Sequence, residues 1–563
     1  MTSVRTSVLV SPGRDAALQV AEVNRPRFRL DRELLACSAL TAMLAAGLLA
    51  FGPAPGDAAV HLYRTFLVRD GALLWDNYWY SGHYPLAGYS LLYYLPAALV
   101  GNLPLVLAAA ILSTLIFTSL ARREWGQSSL WASRAFAVCA AAPLFTGLYS
   151  YSVAFTAGLG SLWAVQRRHR TAALALAALT LGLSPLAFGF LCLVLVSVFA
   201  ARRQLNATVA WVAAGIGLLA AFEFAVLRLF PTGGVYPFHE ANLAGVLGVV
   251  ILGVLLARRA PNGEILASFF ALWGVSSLVF FAVPSPIGGN WTRLGEFALP
   301  LMLLTASLAR FRPMGLAAVA LAGALAYTLV PNLMLIPYRL DDRPAKSSFW
   351  QPALAFLSEH ARPGFRVEVV PTAAHWEAYW LPHAGFALAR GWYRQLDMVD
   401  NPALYSKQLD PAAYRAWLRS EAVEYVLLPA TRLDPDGGPR EARILLTAKL
   451  ELVYRDPRWT IYRLPDPTPL VSGPGAVRIE KFGHTSVAGT VTRPGRYLLR
   501  ANFIPFWRTG RDVCVARAPH GKTWLYVSRP GRFSLNVAPA GDAVLLAAHI
   551  DRPRRCVATE RHR

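Results

Sequence analysis

Apolar residues are spread unevenly along this chain. From about residue 33 to 336 they form long blocks broken by short arginine clusters, and beyond that the pattern becomes that of a soluble domain. The first block, LLACSALTAMLAAGLLAFG, runs from 34 to 52. At ~1.5 Å rise per residue it reaches roughly 28 Å, enough to cross a bilayer's hydrocarbon core. A secretory apolar region is normally shorter, so this block reads as a retained span. The same pattern predicts about eleven spans, near 33–53, 103–121, 134–149, 151–166, 171–184, 186–201, 207–230, 241–257, 264–283, 297–309 and 314–332. The pair Ser184–Pro185 marks either a tight turn between two of them or a kink in one.

Charge then orients the spans. Residues 1–32 hold six arginines and no apolar block, and read as a cytoplasmic tail. The clusters ARREWG (121–126), QRRHR (166–170), AARRQ (200–204), ARRAPNGE (257–264) and ARFRP (309–313) fall at every second loop. Arginine-rich short loops stay in the cytoplasm. Alternation therefore places 54–102, 231–240, 284–296 and everything from about 337 outside. The formal charge of +22 is carried mostly by arginine, with lysine only at 346, 407, 449, 481 and 522. Much of that excess sits in loops between spans, so it speaks for membrane orientation and against nucleic acid. With 55% hydrophobic and 16% charged residues, the chain has the composition of a multi-pass membrane protein. Cys37, Cys139 and Cys192 fall in spans as small hydrophobes, and Cys514 and Cys556 form a pair only if the two meet in an oxidising space.

The first outer loop is unusually rich in chemistry. It reads GDAAVHLYRTFLVRDGALLWDNYWYSGHYPL from residue 56. A helix over 57–69 with Asp57 near its N-cap places Asp57 and His61 on one face, with Arg64 close by. Val60, Phe66 and Leu67 give that helix an apolar side suited to the membrane interface. Asp70–Gly71 marks a turn. The aromatic run beyond it, with Trp79, Tyr80 and His83, suits either headgroup depth or stacking against a sugar. Outside the cytoplasm ATP is absent, so an enzyme there needs a donor already activated in the membrane. Glycosyl transfer needs a carboxylate that takes a proton from the acceptor hydroxyl, or that holds a divalent metal (Mg, Mn or Ca). Asp57 is the leading candidate, supported by His61 and Asp76. The plainer reading is that Asp57 caps the helix and His61 orients the loop.

This layout resembles the GT-C superfamily of polyprenyl-phosphate-dependent membrane glycosyltransferases. The segment GDAAVHLYR, with LW, WYSGHYPL and LYYLP after it, is similar to bacterial GT-C-like proteins bearing a D-x-x-x-H-x-x-R loop, some described through a 6-pyruvoyl-tetrahydropterin-synthase-related membrane domain. RVEVVPTAAHWEAYWLPHAGFALARGWYRQLDMVDNPALY (366–405) resembles actinobacterial relatives, and YLLRANFIPFWRTG (497–510) resembles the terminal β-domain of YfhO-like membrane proteins. The resemblance implies a polyprenyl-phosphate sugar donor, a hexosyl- or pentosyltransferase activity in cell-wall biogenesis, and Asp57 as the catalytic carboxylate. Many members pair two acidic residues here, whereas this chain has GDAAVH.

Other residues extend the candidate site. IGGNWTRLGE (287–296) carries Arg293, whose guanidinium suits a bidentate grip on phosphate, with Asn290 beside it. Gly288 and Gly289 would let backbone amides approach that phosphate. Arg64 joins Arg293 as a donor-phosphate candidate, while snorkelling to headgroups is the bland role for Arg293. Glu223 in a span is either functional or solvated near the outer interface. VYPFHE (235–240) adds His239 and Glu240 as substrate-loop residues or plain solvated positions. ARGWYRQLD (389–397) gathers Arg390, Trp392, Arg394 and Asp397, which suit either a sugar or lipid head or core packing.

The terminal region divides into a mixed α/β part at 337–465 and a small β-domain at 466–563. Strands are predicted over 366–370, 424–429 and 459–464, and helices over 375–380 and 410–422, the latter capped by Asp410 with Pro411 first. Pro-Gly turns at 494–495 and 530–531 suggest a β-sandwich. No Walker loop, zinc-ligand spacing, dinucleotide fingerprint or nucleophile elbow occurs. The fold expected is therefore an all-α multi-span membrane domain followed by extracytoplasmic α/β and β-sandwich parts, in the plasma membrane. The function expected is transfer of a sugar from a polyprenyl-phosphate donor to an envelope glycan, lipid or protein. The other classes are a lipid-linked-sugar flippase or exporter, disfavoured by the lack of an internal repeat, and a non-catalytic envelope-assembly protein.

Overall fold

The computed structural model describes residues 32–87, 89–203, 207–230, 234–539 and 541–542. The predicted tail lies outside these residues but for Arg32, and the pairing of Cys514 with Cys556 falls outside them too. Seven helical segments are long and apolar enough to cross a membrane: Arg32–Phe51, Asn102–Thr146, Pro185–Arg202, Ala210–Leu229, Glu240–Ala257, Glu264–Ala282 and Met314–Pro337. The sequence pattern divides the chain more finely. Where it places spans at 151–166, 171–184 and 297–309, the structure has helices Tyr149–Gln166, Arg170–Leu183 and Ala298–Leu308. Those helices are shorter, or are made more polar by residues such as Tyr149, Ser150, Tyr151 and Ser152. Ser184–Pro185 is a break between two helices, with the Ser184 hydroxyl accepting from the Ala187 amide.

Small residues let the bundle helices approach one another. The Thr41 hydroxyl lies 2.9 Å from that of Thr114 and 2.9 Å from the Ala137 carbonyl, and Ser161 donates to the Ala173 carbonyl at 2.8 Å. Such bonds suit an environment without competing water. Large apolar side chains cover the outside, among them Phe51, Leu99 and Leu218. An apolar surface of that extent needs a nonaqueous neighbour. The chain is thus a membrane-embedded helical bundle with a strand-rich C-terminal region. Cys37, Cys139 and Cys192 are free thiols on its helices, as expected.

Beyond the bundle, β1 (Arg366–Val369) pairs in parallel with β2 (Val423–Pro429). β4 (Trp459–Arg463) then pairs antiparallel with both β2 and β3 (Glu451–Arg455). Helix Pro411–Ser420 starts as the sequence predicts, with Asp410 accepting from the amides of Ala412 and Ala413. Two four-stranded sheets follow. One orders Val513–Arg517, Lys522–Val527, Gly495–Asn502 and Val471–Ser472, and the other Val477–Gly483, Ser486–Val491, Gly531–Val537 and Trp507–Thr509. Leu499 and Leu525 of the first share a core with Val487 and Leu535 of the second, so the two form a sandwich.

The segment from 52 to 94 joins bundle to C-terminal region. Its helix, Ala58–Arg69, does not lay its apolar side on lipid as the amphipathic pattern suggests. Val60, Tyr63 and Leu67 pack instead in one core with Trp350, Val367, Leu427 and Trp459. The aromatic run is likewise packed into protein. Trp79 donates to the Ala378 carbonyl at 3.1 Å, Tyr80 to that of Tyr393 at 2.9 Å, and Tyr78 to that of Phe482 at 2.8 Å. Gly391 fits because a Cβ there would lie 2.6 Å from the Tyr80 ring and 2.7 Å from Trp79. These contacts put the first loop and the C-terminal region at the same end of the bundle.

Asp76 is the polar centre of this joint. It is fully buried and accepts from the Tyr63 hydroxyl at 2.8 Å and the Tyr78 amide at 3.1 Å, with His484 Nδ1 at 2.8 Å. His83, stacked on Trp79, lies 3.5 Å from its other oxygen. Burial pushes the Asp76 carboxyl upward, but His484, His83 and Tyr63 outweigh it and hold it below the usual aspartate range. Asp76→Ala strands these partners in the interior, at about 1–3 kcal/mol for each buried group left unpaired. We expect a lower apparent Tm and faster proteolysis of the C-terminal region. Because Asp76 and His484 share one bond, Asp76→Ala/His484→Ala should cost less than the sum of the single changes, by ~0.5–3 kcal/mol. Additive losses would refute the coupling.

Candidate functional site

The site begins where the first helix ends. After Phe51 the chain reverses through PAPG, and Asp57 takes the N-cap position of helix Ala58–Arg69. Its side chain makes no capping hydrogen bond. The plainer reading of this residue is therefore not realised, and the carboxylate is free to face elsewhere. Its backbone is pinned by two bonds to the bundle, Gly56 to the Phe145 carbonyl at 3.3 Å and Asp57 to that of Thr146 at 3.1 Å. Gly147 permits this approach. It has φ +86°, and a Cβ there would sit 2.4 Å from the Asp57 nitrogen.

Arg293 meets Asp57 from the loop between helices Glu264–Ala282 and Ala298–Leu308, Nη2 to Oδ2 at 3.9 Å. The side chains are 24% and 23% exposed, so the pair can be reached from outside. Arg293 lies on a 3₁₀ helix, Gly288–Phe297. Residues three apart eclipse on such a helix, so Asn290, Arg293 and Glu296 form one stripe. Trp291 anchors the helix by donating to the Ser276 hydroxyl at 2.9 Å. The Gly288 amide is taken up by the Ser285 hydroxyl at 3.1 Å. Added Cβ atoms at Gly288 and Gly289 would lie 1.8 Å and 2.5 Å from the carbonyls of Tyr236 and Pro237, so these glycines let two loops close on each other.

Two further cations approach Asp57, and neither is singled out by the sequence. The Arg339 guanidinium, from the end of helix Met314–Leu340, lies against Gly56, where a Cβ would be 2.4 Å from Nη2. His375 comes from the C-terminal region in a left-handed conformation, φ +52°. Its Nδ1 is 3.0 Å from Glu377 and its Nε2 3.9 Å from Asp434. Burial raises the Asp57 carboxyl above the ordinary aspartate range, and Arg293, Arg339 and His375 oppose that rise.

Arg64 lies two turns along the same helix and is 1% exposed. Its guanidinium carbon sits 4.7 Å from the Tyr89 ring centre, 4.8 Å from Tyr393 and 5.7 Å from Tyr94. Nε and Nη1 have no hydrogen-bond partner, and no carboxylate pairs with Arg64 among the described residues. Tyr89 feels the charges of Arg293, Asp57 and Arg64 together, so it forms a wall common to all three. His61 is an inner wall. It is fully buried, 3.0 Å from the Tyr94 hydroxyl and stacked on Tyr149. Burial, with Arg64 and Arg293, holds it well below the ordinary histidine range and hence neutral.

The remaining sequence candidates lie elsewhere. Asp76, Trp79, Tyr80 and His83 belong to the joint described above. His239 and Glu240 are exposed at the start of helix Glu240–Ala257. Arg390 is buried against Glu368 and Glu441, 3.6 Å from Asp397, and Arg394 pairs with Asp434 at 2.6 Å and with Asp436. Those charges are satisfied within the chain. Arg390, Arg394, Glu368, Asp397 and Asp434 line a small cavity together with Trp392 and His375.

Among the described residues no group of three or more His, Cys, Asp or Glu could hold a metal ion, and the nearest ionic partner of Asp57 is a guanidinium. The donor set does not fit a divalent metal, and no step is routed through one. Neither protein-family models nor curated protein sequences match this chain.

What the geometry assembles is the Asp57 carboxylate, raised in basicity, among Arg293, Arg339, His375 and Arg64, which has no carboxylate partner among the described residues. Such a site can take a proton while attracting an anion. The charge on His375 can be tested directly. Burial pushes its pKa down, and the hydrogen bond and charge of Glu377, with Asp434, outweigh that and raise it. A raised folded-state pKa gives stability that is complete below the unfolded value and lost as pH rises through the folded one. Apparent Tm should therefore fall across that range above the ordinary histidine pKa, and His375→Gln should flatten this part of the Tm–pH curve. An unchanged curve would refute the ion pair.

Proposed function

We propose that this protein is an integral-membrane glycosyltransferase of GT-C type. It moves a sugar from a polyprenyl-phosphate donor to a cell-envelope glycan, lipid or protein. The observation that carries this reading is the Asp57 carboxylate, uncapped and raised in basicity, facing Arg293 at the end of an apolar bundle. The resemblance of the first-loop motif to GT-C proteins adds to it. So does Arg64, a buried cation with no carboxylate partner among the described residues, because the desolvation cost of such a charge is offset when an anion binds.

In this mechanism the lipid tail lies along the bundle and the donor phosphate sits between Arg293, Arg339 and Arg64. Asp57 accepts the proton of the acceptor hydroxyl as its oxygen attacks the anomeric carbon. The bond from that carbon to the phosphate oxygen breaks, and its electron pair leaves with the lipid phosphate. The guanidinium groups meet the charge that develops there. Topologically, the reading takes about eleven crossings, a cytoplasmic N-terminus and an extracytoplasmic C-terminal region in the plasma membrane, supported by the arginine-rich alternate loops.

The test is incubation of the purified protein with labelled polyprenyl-phosphate sugars and envelope acceptors. General-base removal costs ~10²–10⁴-fold, so Asp57→Asn should lower kcat by at least about a hundredfold while leaving apparent Tm unchanged. Losing a charged hydrogen bond costs about 1.5–3 kcal/mol. Arg293→Ala should therefore lower kcat/KM for donor by roughly tenfold to a hundredfold. Translocation of lipid-linked sugar without transfer, or normal transfer by Asp57→Asn, would overturn the reading.

A further inference from the structure

Glu296 is absent from the chemistry assigned so far, yet it occupies the third position of the Asn290–Arg293–Glu296 stripe. Its Oε2 is buried without a hydrogen-bond partner. A buried oxygen with unspent hydrogen-bonding capacity is costly, and a site that retains one calls for a reason. Arg293 is therefore flanked by two carboxyl groups, Asp57 across the gap and Glu296 one 3₁₀ turn along. If both were ionised they would together cancel the attraction that Arg293 offers a phosphate. With one of them neutral, more of the positive charge of Arg293, Arg339 and Arg64 is left for an anionic ligand.

Resting on the transferase reading, we propose that Glu296 is a catalytic residue that acts in its protonated form, donating a hydrogen bond from its carboxyl to a non-bridging oxygen of the donor phosphate on Arg293. Bond breaking converts that phosphate from a diester with one negative charge to a monoester that gains a second. A neutral donor already in place binds the second state more strongly than the first, so its contribution grows in the transition state. The proton balance is unchanged. The acceptor's proton ends on Asp57, and Glu296 keeps its own while sharing it with the phosphate oxygen.

The surroundings support a neutral carboxyl. Charged and titratable groups facing Glu296 are Arg293 on its own element, Asp57 at the start of the first-loop helix, Tyr151 on Tyr149–Gln166 and Cys139 on Leu130–Cys139. Burial raises the Glu296 carboxyl to about 7; Arg293 opposes this and Asp57 adds to it. Glu296 is thus mostly neutral below that value and increasingly anionic above it, so donor binding and turnover should weaken as pH rises through about 7.

Glu296→Gln keeps a hydrogen-bond donor and cannot ionise. Its kcat/KM at pH 6 should lie within about threefold of wild type, and the alkaline decline of wild type should vanish, leaving the variant at least about tenfold more active at pH 8.5. Glu296→Ala should lose about tenfold or more at pH 6, where the wild-type carboxyl is neutral, and this deficit should shrink as pH rises through about 7. A readout independent of transfer is binding of a short-chain polyprenyl monophosphate in detergent micelles. Its affinity should fall above pH 7 for wild type and not for Glu296→Gln, and comparing the two proteins removes the phosphate's own titration. Pocket binding with this pH contrast but no transfer would sink the transferase reading and keep the role of Glu296. Transfer with the same alkaline decline in Glu296→Gln as in wild type, or equal damage from Gln and Ala in folded protein, would overturn the proposal.

Discussion

The structure depends on how the segment from 52 to 94 is buried. Connecting segments normally run over the surface, because a buried loop must find a partner for every backbone amide and carbonyl. Here it finds them on both sides. Gly56 and Asp57 donate to the turn at 145–146, Asn77 donates to the carbonyls of Gly483 and His484, and Asn502 donates to the carbonyls of Tyr80, Ser81 and Gly82. Asp76 closes the set as the one carboxylate that joins the loop helix, through Tyr63, to the sandwich, through His484. The loop is therefore a structural member between bundle and C-terminal region, and its rigidity fixes where Asp57 points.

Local signals in the sequence were legible. The Asp410–Pro411 helix start and the strands at 366, 424 and 459 stand within a residue or so of their predicted limits, because capping and alternation act over a few neighbours. Asp57 at a helix start was legible for the same reason. That its side chain does not cap is a tertiary outcome, set by Arg293 more than two hundred residues away in sequence. Trp79 and Tyr80 show the converse. An aromatic cluster has the same composition whether it packs or binds, and only the close approach of Gly391 shows that these rings pack. Arg390 is similar, since its carboxylate partners at 368, 397 and 441 come from separate elements.

Glu296 could have been found from sequence, by spacing. Asn290, Arg293 and Glu296 recur every third residue, which aligns side chains on a 3₁₀ helix, whereas a reading on the α-helical period separates them. Arg339 and His375 carried no such signal. Their approach to Asp57 follows from where the last helix of the bundle ends and where the loop after β1 returns. The bundle's own limits were harder to divide. Hydropathy gives similar weight to a long apolar helix and to a shorter one packed among its neighbours, such as Ala298–Leu308.

The first-loop helix ties site and scaffold into a single unit. One of its faces, through Val60, Tyr63 and Leu67, completes the core of the α/β part, while Asp57 and Arg64 belong to the candidate site. The cage around Arg64 is itself composite, with Tyr89 from the loop, Tyr94 from the helix that follows, and Tyr393 from the C-terminal region. Arg64 has no carboxylate partner among the described residues, and those rings supply a cation–π attraction that is strongest where water is kept out. Removing the C-terminal region would then do more than shorten the protein. It would expose Arg64, withdraw His375, and free the helix whose start positions Asp57. The geometry around Asp57 and the C-terminal region are in this sense one structure, and the charge imbalance at the site is sustained by packing that begins well outside it.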